Sequence, residues 1–465
     1  MSYRNVCVAL TCLLASIGLA VAQPQPPAGP TPPVQPRVQE TPLPPPIELP
    51  GPETVPADLP NRPLTAAEAA LLALHYQPTL VGAAAGVTAA QARTQETRAA
   101  SKATLGIAGS YAHTITHSTG TTAGATGTAA GYLVSATGRQ LLYDFNHTRD
   151  LVRQARANER FAGATLTRAQ ADLVLQVKQG FYVYLEAVHL VAVNEDNVEN
   201  QEAHLALAQA RLNTGLGLPV DVSRAQAAKA EAIFNLTSAR ANATQARVNL
   251  AESIGVDPRV PFVPADSSEP AVIPVDPRQL TLQALKQRPE IAQAQANIEA
   301  AAYAVSAART TNAPAVVGSV GVLQRGSDFP PAGNAVTVGV AVQWTPFDGG
   351  FTKGRVQETQ ANLTLAQSQM ASTRLGVIAD VSSAYLALKT AEEKIATADA
   401  EIANAEEALR LARGRYQAGI GVFIDIIDAQ TTLETAHTNR VNAVSAVDQA
   451  RAAMAHAVGN PIPKQ

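Results

Sequence analysis

Two short turns interrupt long helical stretches of the chain, and they read TGLGLPVD at residues 214–221 and AGIGVFID at residues 418–425. The second position of each turn is a glycine, Gly215 or Gly419, in the place where a left-handed residue commonly ends a helix. Because helical patterns continue on both sides of each turn, the two stretches predict two helical hairpins. The turns form the tips of these hairpins.

The tip sequences are one part of an internal repeat. Residues 143–255 match residues 347–459 without a gap at a constant offset of 204. An internal repeat of this kind has to be recognised before the fold is assigned. Including the upstream segments, we predict a first repeat at 64–275, a second at 276–459 and a C-terminal tail at 460–465.

The N-terminal segment carries the features of an exported protein. Residues 1–22 combine Arg4, an apolar run and an Ala-Val-Ala cleavage site, which predicts a secretory signal peptide. Cys12 is an alternative lipoprotein acceptor, but only a short apolar run precedes it. The proline-rich residues 23–63 predict an extended linker.

The stretches that lead to the tips are too long for an ordinary globular domain. Thr148–Asn213 and Thr352–Ala418 contain no proline, and as helices they would each reach about 100 Å. The second of them has two heptad seams, one of large residues and one rich in alanine, which is the pattern of a coiled coil. The large seam is Val381, Leu388, Ile395, Ile402, Leu409 and Tyr416, and the small seam is Val377, Ala384, Ala391, Ala398, Ala405 and Ala412.

Alternating sequences between the helices predict strands. In Val336–Trp344, apolar residues alternate with small or polar ones, as in a barrel strand between lipid and a wet lumen. We predict β-hairpins at about 104–143 and 315–345, hence four strands per chain. Because four strands cannot close a barrel, the sequence favours three copies and a trimeric 12-stranded transmembrane β-barrel.

Composition and motifs exclude several functions. The net charge is −3, with no basic block of the kind that binds nucleic acid. The histidines are scattered, and neither a nucleophile elbow nor a phosphate loop is present, so we expect no enzymatic activity, no metal and no cofactor. A structural periplasmic coiled-coil protein or adhesin is the alternative to a channel.

Over residues 64–459 the chain resembles the TolC-like outer-membrane efflux protein family. The resemblance rests on four kinds of feature: the duplicated helical hairpin, the helix starts, the strand exits and the tip sequence. These are the Ala-Leu-x-x-x-Pro helix starts at 73–78 and 284–289, the exits Tyr143-Asp144-Phe145 and Phe347-Asp348-Gly349-Gly350, and the tip at 418–430.

The resemblance implies a homotrimer in the bacterial outer membrane whose β-barrel continues into a long periplasmic α-helical coiled-coil barrel. It also implies an exit duct of a tripartite efflux or type I secretion system. The implied partners are outer-membrane lipid, a periplasmic membrane-fusion adaptor and an inner-membrane pump of the RND, ABC or MFS class.

The resemblance also suggests roles for residues at the tips. Asp425 and Asp428 occupy positions where the family carries a carboxylate ring at the periplasmic gate, while Arg224 corresponds to Asp428 in the first repeat. The alternative is that Asp425 is only an N-cap and Asp428 a solvated residue. The hairpin tips are the expected adaptor contact, at Gly215, Leu216, Asp221, Gly419, Ile420 and Asp425.

Overall fold

A computed structural model describes residues 62–117, 126–269, 276–329 and 331–459. The predicted signal peptide, nearly all of the proline-rich linker and the C-terminal tail lie outside these residues. In the described part of the chain, eight α-helices accompany one sheet of four strands. No helix there is both long and apolar enough to cross a membrane.

The helices form two series of nearly equal length. Two short helices and a β-hairpin precede each helical hairpin, which joins a helix of 67 residues to one of 36 residues. In the first series the helices are α1 (Ala66–Tyr76), α2 (Pro78–Ala99), α3 (His147–Asn213) and α4 (Pro219–Ile254). In the second they are α5 (Pro277–Gln287), α6 (Pro289–Arg309), α7 (Phe351–Gln417) and α8 (Phe423–Val458).

The long helices begin where an aspartate follows each β-hairpin. Asp144 Oδ2 accepts a hydrogen bond from the backbone N–H of Thr148 at 2.7 Å, and Asp348 Oδ2 accepts from Thr352 at 2.8 Å. These carboxylates satisfy backbone donors that a helix N-terminus leaves free. For Asp348 the hydrogen bonds from Thr352 hold the pKa of the carboxyl below its usual range.

The four strands form one antiparallel sheet in the order β1-β2-β3-β4. The strands are β1 (Thr104–His117), β2 (Thr126–Tyr143), β3 (Ala315–Gly326) and β4 (Gly333–Gln343). The outer edges of β1 and β4 have no strand partner within the described chain. The alternation predicted for β4 is confirmed, since the register places Val336 opposite Val322 and Val338 opposite Val320, on one face.

The heptad seams of α7 are confirmed as packing positions. Every residue of the large and small seams is buried or half-buried, whereas most of the helix surface is exposed. Helix α7 packs along α8, and α3 packs along α4, α6 and α8. In α3 the seam against α8 departs from the apolar pattern, because Asn197, Gln201 and His204 are buried there.

A buried charged network joins the two halves midway along the helices. Lys178 on α3 pairs with Glu269, and Tyr182 donates to the same carboxylate at 2.8 Å. Asp448 on α8 accepts the backbone N–H of Glu269 at 3.0 Å. Buried charges persist where they are paired and hydrogen-bonded, so this network fixes the segment after α4 against both long helices.

Candidate gate and docking site at the helix tips

Both hairpin tips have the backbone geometry that their glycines predict. Gly215 has a φ of 75° and Gly419 a φ of 77°, in the left-handed region where glycine is favoured. The next two N–H groups in each tip then bond back to Arg211 or Arg415, with N···O distances between 2.9 and 3.1 Å. The turns are therefore closed by their own backbone.

A second glycine in each tip is required for a different reason. A side chain on Gly217 would place its Cβ 2.7 Å from the backbone nitrogen of Leu212, and one on Gly421 would lie 3.0 Å from that of Tyr416. Sequence reasoning identified the first glycine of each turn but not the need for the second. The repeated Gly-x-Gly spacing was the available signal.

The tips expose apolar side chains to solvent. Leu216 is 73% exposed, Ile420 is 75% exposed, and Leu218 and Val422 are also mostly exposed. Neighbouring exposed apolar residues on a soluble surface usually mark an interaction site. The candidate contact residues predicted from the sequence therefore include an apolar surface that nothing in the described chain covers.

One predicted contact residue, Asp221, has a different environment. It is buried, and its Oδ2 accepts a hydrogen bond of 3.2 Å from the hydroxyl of Tyr416, on the other hairpin. Burial, followed by the neighbouring Asp221 carboxylate, raises the pKa of Tyr416, which keeps the hydroxyl as the donor. We call this contact the tip latch.

Arg211 reinforces the tip latch from the first hairpin. Its guanidinium lies 4.5 Å from the centre of the Tyr416 ring, a cation–π arrangement. Nη1 of the same group donates at 2.8 Å to the Tyr416 carbonyl, in the last turn of α7, which also accepts the backbone N–H of Gly419. Tyr416 and Phe423 pack with ring centres 5.4 Å apart, so the hydroxyl is held by a fixed ring.

The equivalent contact with the roles of the two hairpins exchanged does not form within the described residues. At the offset of 204, Leu212 takes the place of Tyr416, and Arg415 takes the place of Arg211. Asp425, which corresponds to Asp221, forms no side-chain hydrogen bond or ion pair with any described residue. Sequence reasoning missed Tyr416 and Arg211 as functional residues, although the difference between Tyr416 and its repeat counterpart Leu212 was visible.

Asp425 and Asp428 lie in the first two turns of α8. Asp425 is half-buried and Asp428 is exposed, and neither carboxylate is paired within the described residues. The N-cap of α8 is Val422, which makes Asp425 the third helical residue. The alternative interpretation of Asp425 as an N-cap is therefore wrong, although its charge still favours a helix N-terminus.

Above the tips, a polar layer lies between α3 and α8. His204 Nε2 is 3.3 Å from Gln430 Oε1, and Arg413 Nη2 is 3.3 Å from the same oxygen. Burial lowers the pKa of His204, and the hydrogen bond with Gln430 has the smaller, opposite effect of raising it. Burial and then the nearby Glu231 carboxylate raise the pKa of Glu434, which accepts from Asn197 at 2.7 Å.

The sequence profile of the outer membrane efflux protein family matches residues 70–256 and 280–460. The chain belongs to the outer membrane efflux protein family. This membership confirms the resemblance and the predicted outer-membrane location, and it confirms a role as an exit channel in efflux or secretion. The family is one of channel proteins, not enzymes.

Two individual members of the efflux protein family have low sequence identity to this chain. The outer membrane efflux protein BepC of Brucella suis is 26% identical over 69% of this chain and 70% of its own length. The protein CyaE of Bordetella pertussis is 27% identical, and the match covers 64% of this chain and 65% of CyaE. The match thus spans just under two thirds of CyaE.

A solved structure shows the same fold. The outer membrane protein VceC of Vibrio cholerae superposes with a TM-score of 0.74 at 20% sequence identity, covering 86% of this chain and 97% of that chain. The predicted mixture of long helices and a four-stranded sheet is therefore confirmed at the level of the family fold.

Proposed function

We propose that three copies of the chain form one continuous duct through which an inner-membrane pump expels its substrate across the outer membrane. The observation that carries this proposal is the pair of unpartnered strand edges, on β1 and β4. An exposed strand edge presents unpaired N–H and C=O groups, which cannot stay unsatisfied in lipid. Pairing β4 of one copy with β1 of the next removes every edge.

The number three follows from the interior of the sheet. Two copies would give about eight strands, and a barrel of that size is filled by its own side chains, whereas about twelve strands leave a lumen. The face opposite the valines carries small or polar residues, including Ser319, Gly321, Thr337, Gly339 and Ala341. In a dimer these side chains would be too small to fill the interior of the barrel.

The helices support the same assembly. Helices α4 and α7 carry large apolar residues that are at least half exposed in the single chain, and Phe234 on α4 is 71% exposed. On α7 the corresponding residues include Leu365, Leu375, Leu386 and Leu411. Packing α7 of one copy against the first repeat of the next would bury them and make both repeats staves of one tube.

At the tips, the tip latch would hold the closed state. Tyr416 and Asp221 connect the end of α7 to the start of α4, so separating the two hairpins breaks this hydrogen bond. Asp425 and Asp428, unpaired in the single chain, would face each other around a threefold axis as a ring of six carboxylates. Such a ring favours cations in a narrow, partly dehydrated passage.

The apolar tips would bind a periplasmic membrane-fusion adaptor. The pump behind that adaptor would belong to the RND, ABC or MFS class, as the family resemblance implies, and relatives of this chain include outer membrane proteins of efflux pumps. The exposed Leu216 and Ile420 supply the apolar contact at the most distal point of each hairpin. This contact would recruit the closed channel to the pump.

Substitution of the exposed tip residues tests this function. Leu216→Ser with Ile420→Ser should abolish export of a pump substrate in cells while the trimer remains intact in detergent extracts. Val263→Ser is the matched control, because Val263 is 62% exposed but lies away from the tips. Normal export by the double variant would reject the tips as the adaptor contact. Recovery of the wild-type chain as a soluble periplasmic protein would favour the structural coiled-coil alternative.

A further inference from the structure

A cluster of arginines lies where the helices meet the sheet. A cavity of about 520 Å³ lies between the end of α2 and the first turns of α3. Four guanidinium groups line it, together with Leu142, Tyr143 and Asp144. They belong to Arg98, Arg149, Arg153 and Arg156.

Three of the four guanidinium groups have no ion-pair partner among the described residues, and the Asp144 carboxylate is the one acidic group in the lining. Arg153 pairs with Asp150 at 3.0 Å. Arg98, Arg149 and Arg156 are exposed, and their side chains form no hydrogen bond or ion pair with the residues that the structure describes. Arginine presents a planar fork of N–H donors that matches a phosphate, so three unpaired forks around one cavity indicate an anionic ligand of that chemistry.

One lining residue of the cavity, Leu142, lies on the apolar side of the sheet. Leu142 lies over Gly318, where an added Cβ would be 3.3 Å from Leu142 Cδ1, and Gly318 is the register partner of Val340. Val340 belongs to the exposed valine face of β4. The arginines of α3 follow a spacing of four and three residues, which places them on one side of the helix. The opposite side of α3 lines a different cavity.

Exposed aromatic residues surround the ends of the strands beside this cavity. They are Tyr143, Phe145, Trp344, Phe347 and Phe351, whose exposed fractions range from 44% to 92%. Aromatic side chains of this kind collect at the level of lipid headgroups. The arginines begin within two turns of Tyr143 along the chain, at the level where lipid phosphates would lie.

We propose that this cavity binds the phosphate of an anionic phospholipid in the membrane leaflet that faces the helices. The proposal rests on the proposed insertion of the sheet into the outer membrane. A zwitterionic lipid carries its own ammonium group beside the phosphate, so the unpaired arginines favour a headgroup with net negative charge. Tyr143 and Leu142 would contact the acyl end of the headgroup region.

The second repeat supplies a natural comparison. Upstream of the strands the two repeats match at an offset of 211, which pairs Arg309 with Arg98. At the offset of 204, Lys353 corresponds to Arg149, but Gln357 and Gln360 replace Arg153 and Arg156. Two of the four cations are therefore missing at the equivalent position. We expect selective lipid binding in the first repeat only.

The test measures lipid binding to the full-length complex purified in a non-ionic detergent. Native mass spectrometry would compare phosphatidylglycerol with phosphatidylcholine of equal chain length. An arginine near anionic lipid contributes about fivefold in affinity, so Arg98→Gln/Arg149→Gln/Arg156→Gln should weaken phosphatidylglycerol binding on the order of 100-fold. The matched control, Arg309→Gln/Lys353→Gln/Arg355→Gln, removes the same charge from the second repeat and should bind like the wild type.

Three results would overturn the lipid site: equal binding of both lipids by the wild type, an equal loss in the control, or displacement of phosphatidylglycerol by millimolar inorganic phosphate. Fractionation of the same cells separates this proposal from the one on which it rests. A wild-type chain absent from the outer membrane contradicts both proposals. An inserted wild type without lipid preference contradicts the lipid site alone.

Discussion

Replacing Tyr416 with phenylalanine should make the channel open more readily. The substitution removes only the hydroxyl that donates to Asp221 at 3.2 Å, and it keeps the ring that packs on Phe423 and Arg211. A hydrogen bond to a charged group contributes about 1.5–3 kcal/mol net, which corresponds to roughly a 10- to 150-fold shift in an equilibrium constant. We expect a shift of this size for each latch that opening breaks.

Single-channel recording in planar bilayers measures this shift as an increase in open probability. Tyr184→Phe is the matched control, because the Tyr184 hydroxyl donates to the Phe262 carbonyl at 3.1 Å, away from the tips. The control should lose a hydrogen bond without changing the open probability. If Tyr416→Phe and the wild type open equally, while both show the same thermal stability, the tip latch does not hold the gate.

Three further predictions concern the tips and the polar layer above them. Asp425→Ala with Asp428→Ala should reduce the preference for cations in planar bilayers, and an unchanged ion preference would leave the two residues as ordinary solvated carboxylates. Gly217→Ala should lower the free energy of unfolding by about 1–3 kcal/mol, because the new Cβ would meet backbone at 2.7 Å. Gly163→Ala, in open space within α3, should not destabilise the protein, and equal effects of the two would contradict the steric argument. Burial lowers the pKa of His204, so the unfolded chain binds a proton more readily and the wild type loses stability as pH falls through about 6.5. His204→Gln should show a smaller decrease in Tm between pH 7.5 and 5.5, and an identical decrease would exclude His204 as its cause.

The fold was predictable because its signals are local or periodic. A glycine at a helix end, an aspartate after a strand and a seven-residue repeat each report their structure within a few positions of the chain. The bounds of α3 and α7 follow from these signals, from Asp144 and Asp348 at the start to Gly215 and Gly419 at the end. The apolar face of β4 was visible for the same reason.

The contacts of the candidate site were not predictable in this way. Tyr416 occupies the last position of an apolar seam. Nothing near it in the sequence identifies its hydrogen-bond partner, Asp221, which is 195 residues away. His204 and Gln430 are likewise partners only because α3 lies against α8. Such pairs depend on which helices become neighbours, and a duplicated sequence leaves that choice open, since either hairpin offers equivalent surfaces.

The mass of the detergent-extracted complex tests the central claim most directly. Four strands per chain, with unpartnered edges on β1 and β4, require other copies to close the sheet. Native mass spectrometry of the protein released from the outer membrane should give three chains per complex. A stable complex of one or two chains would contradict the account, because about eight strands or fewer would leave no lumen for an exit channel.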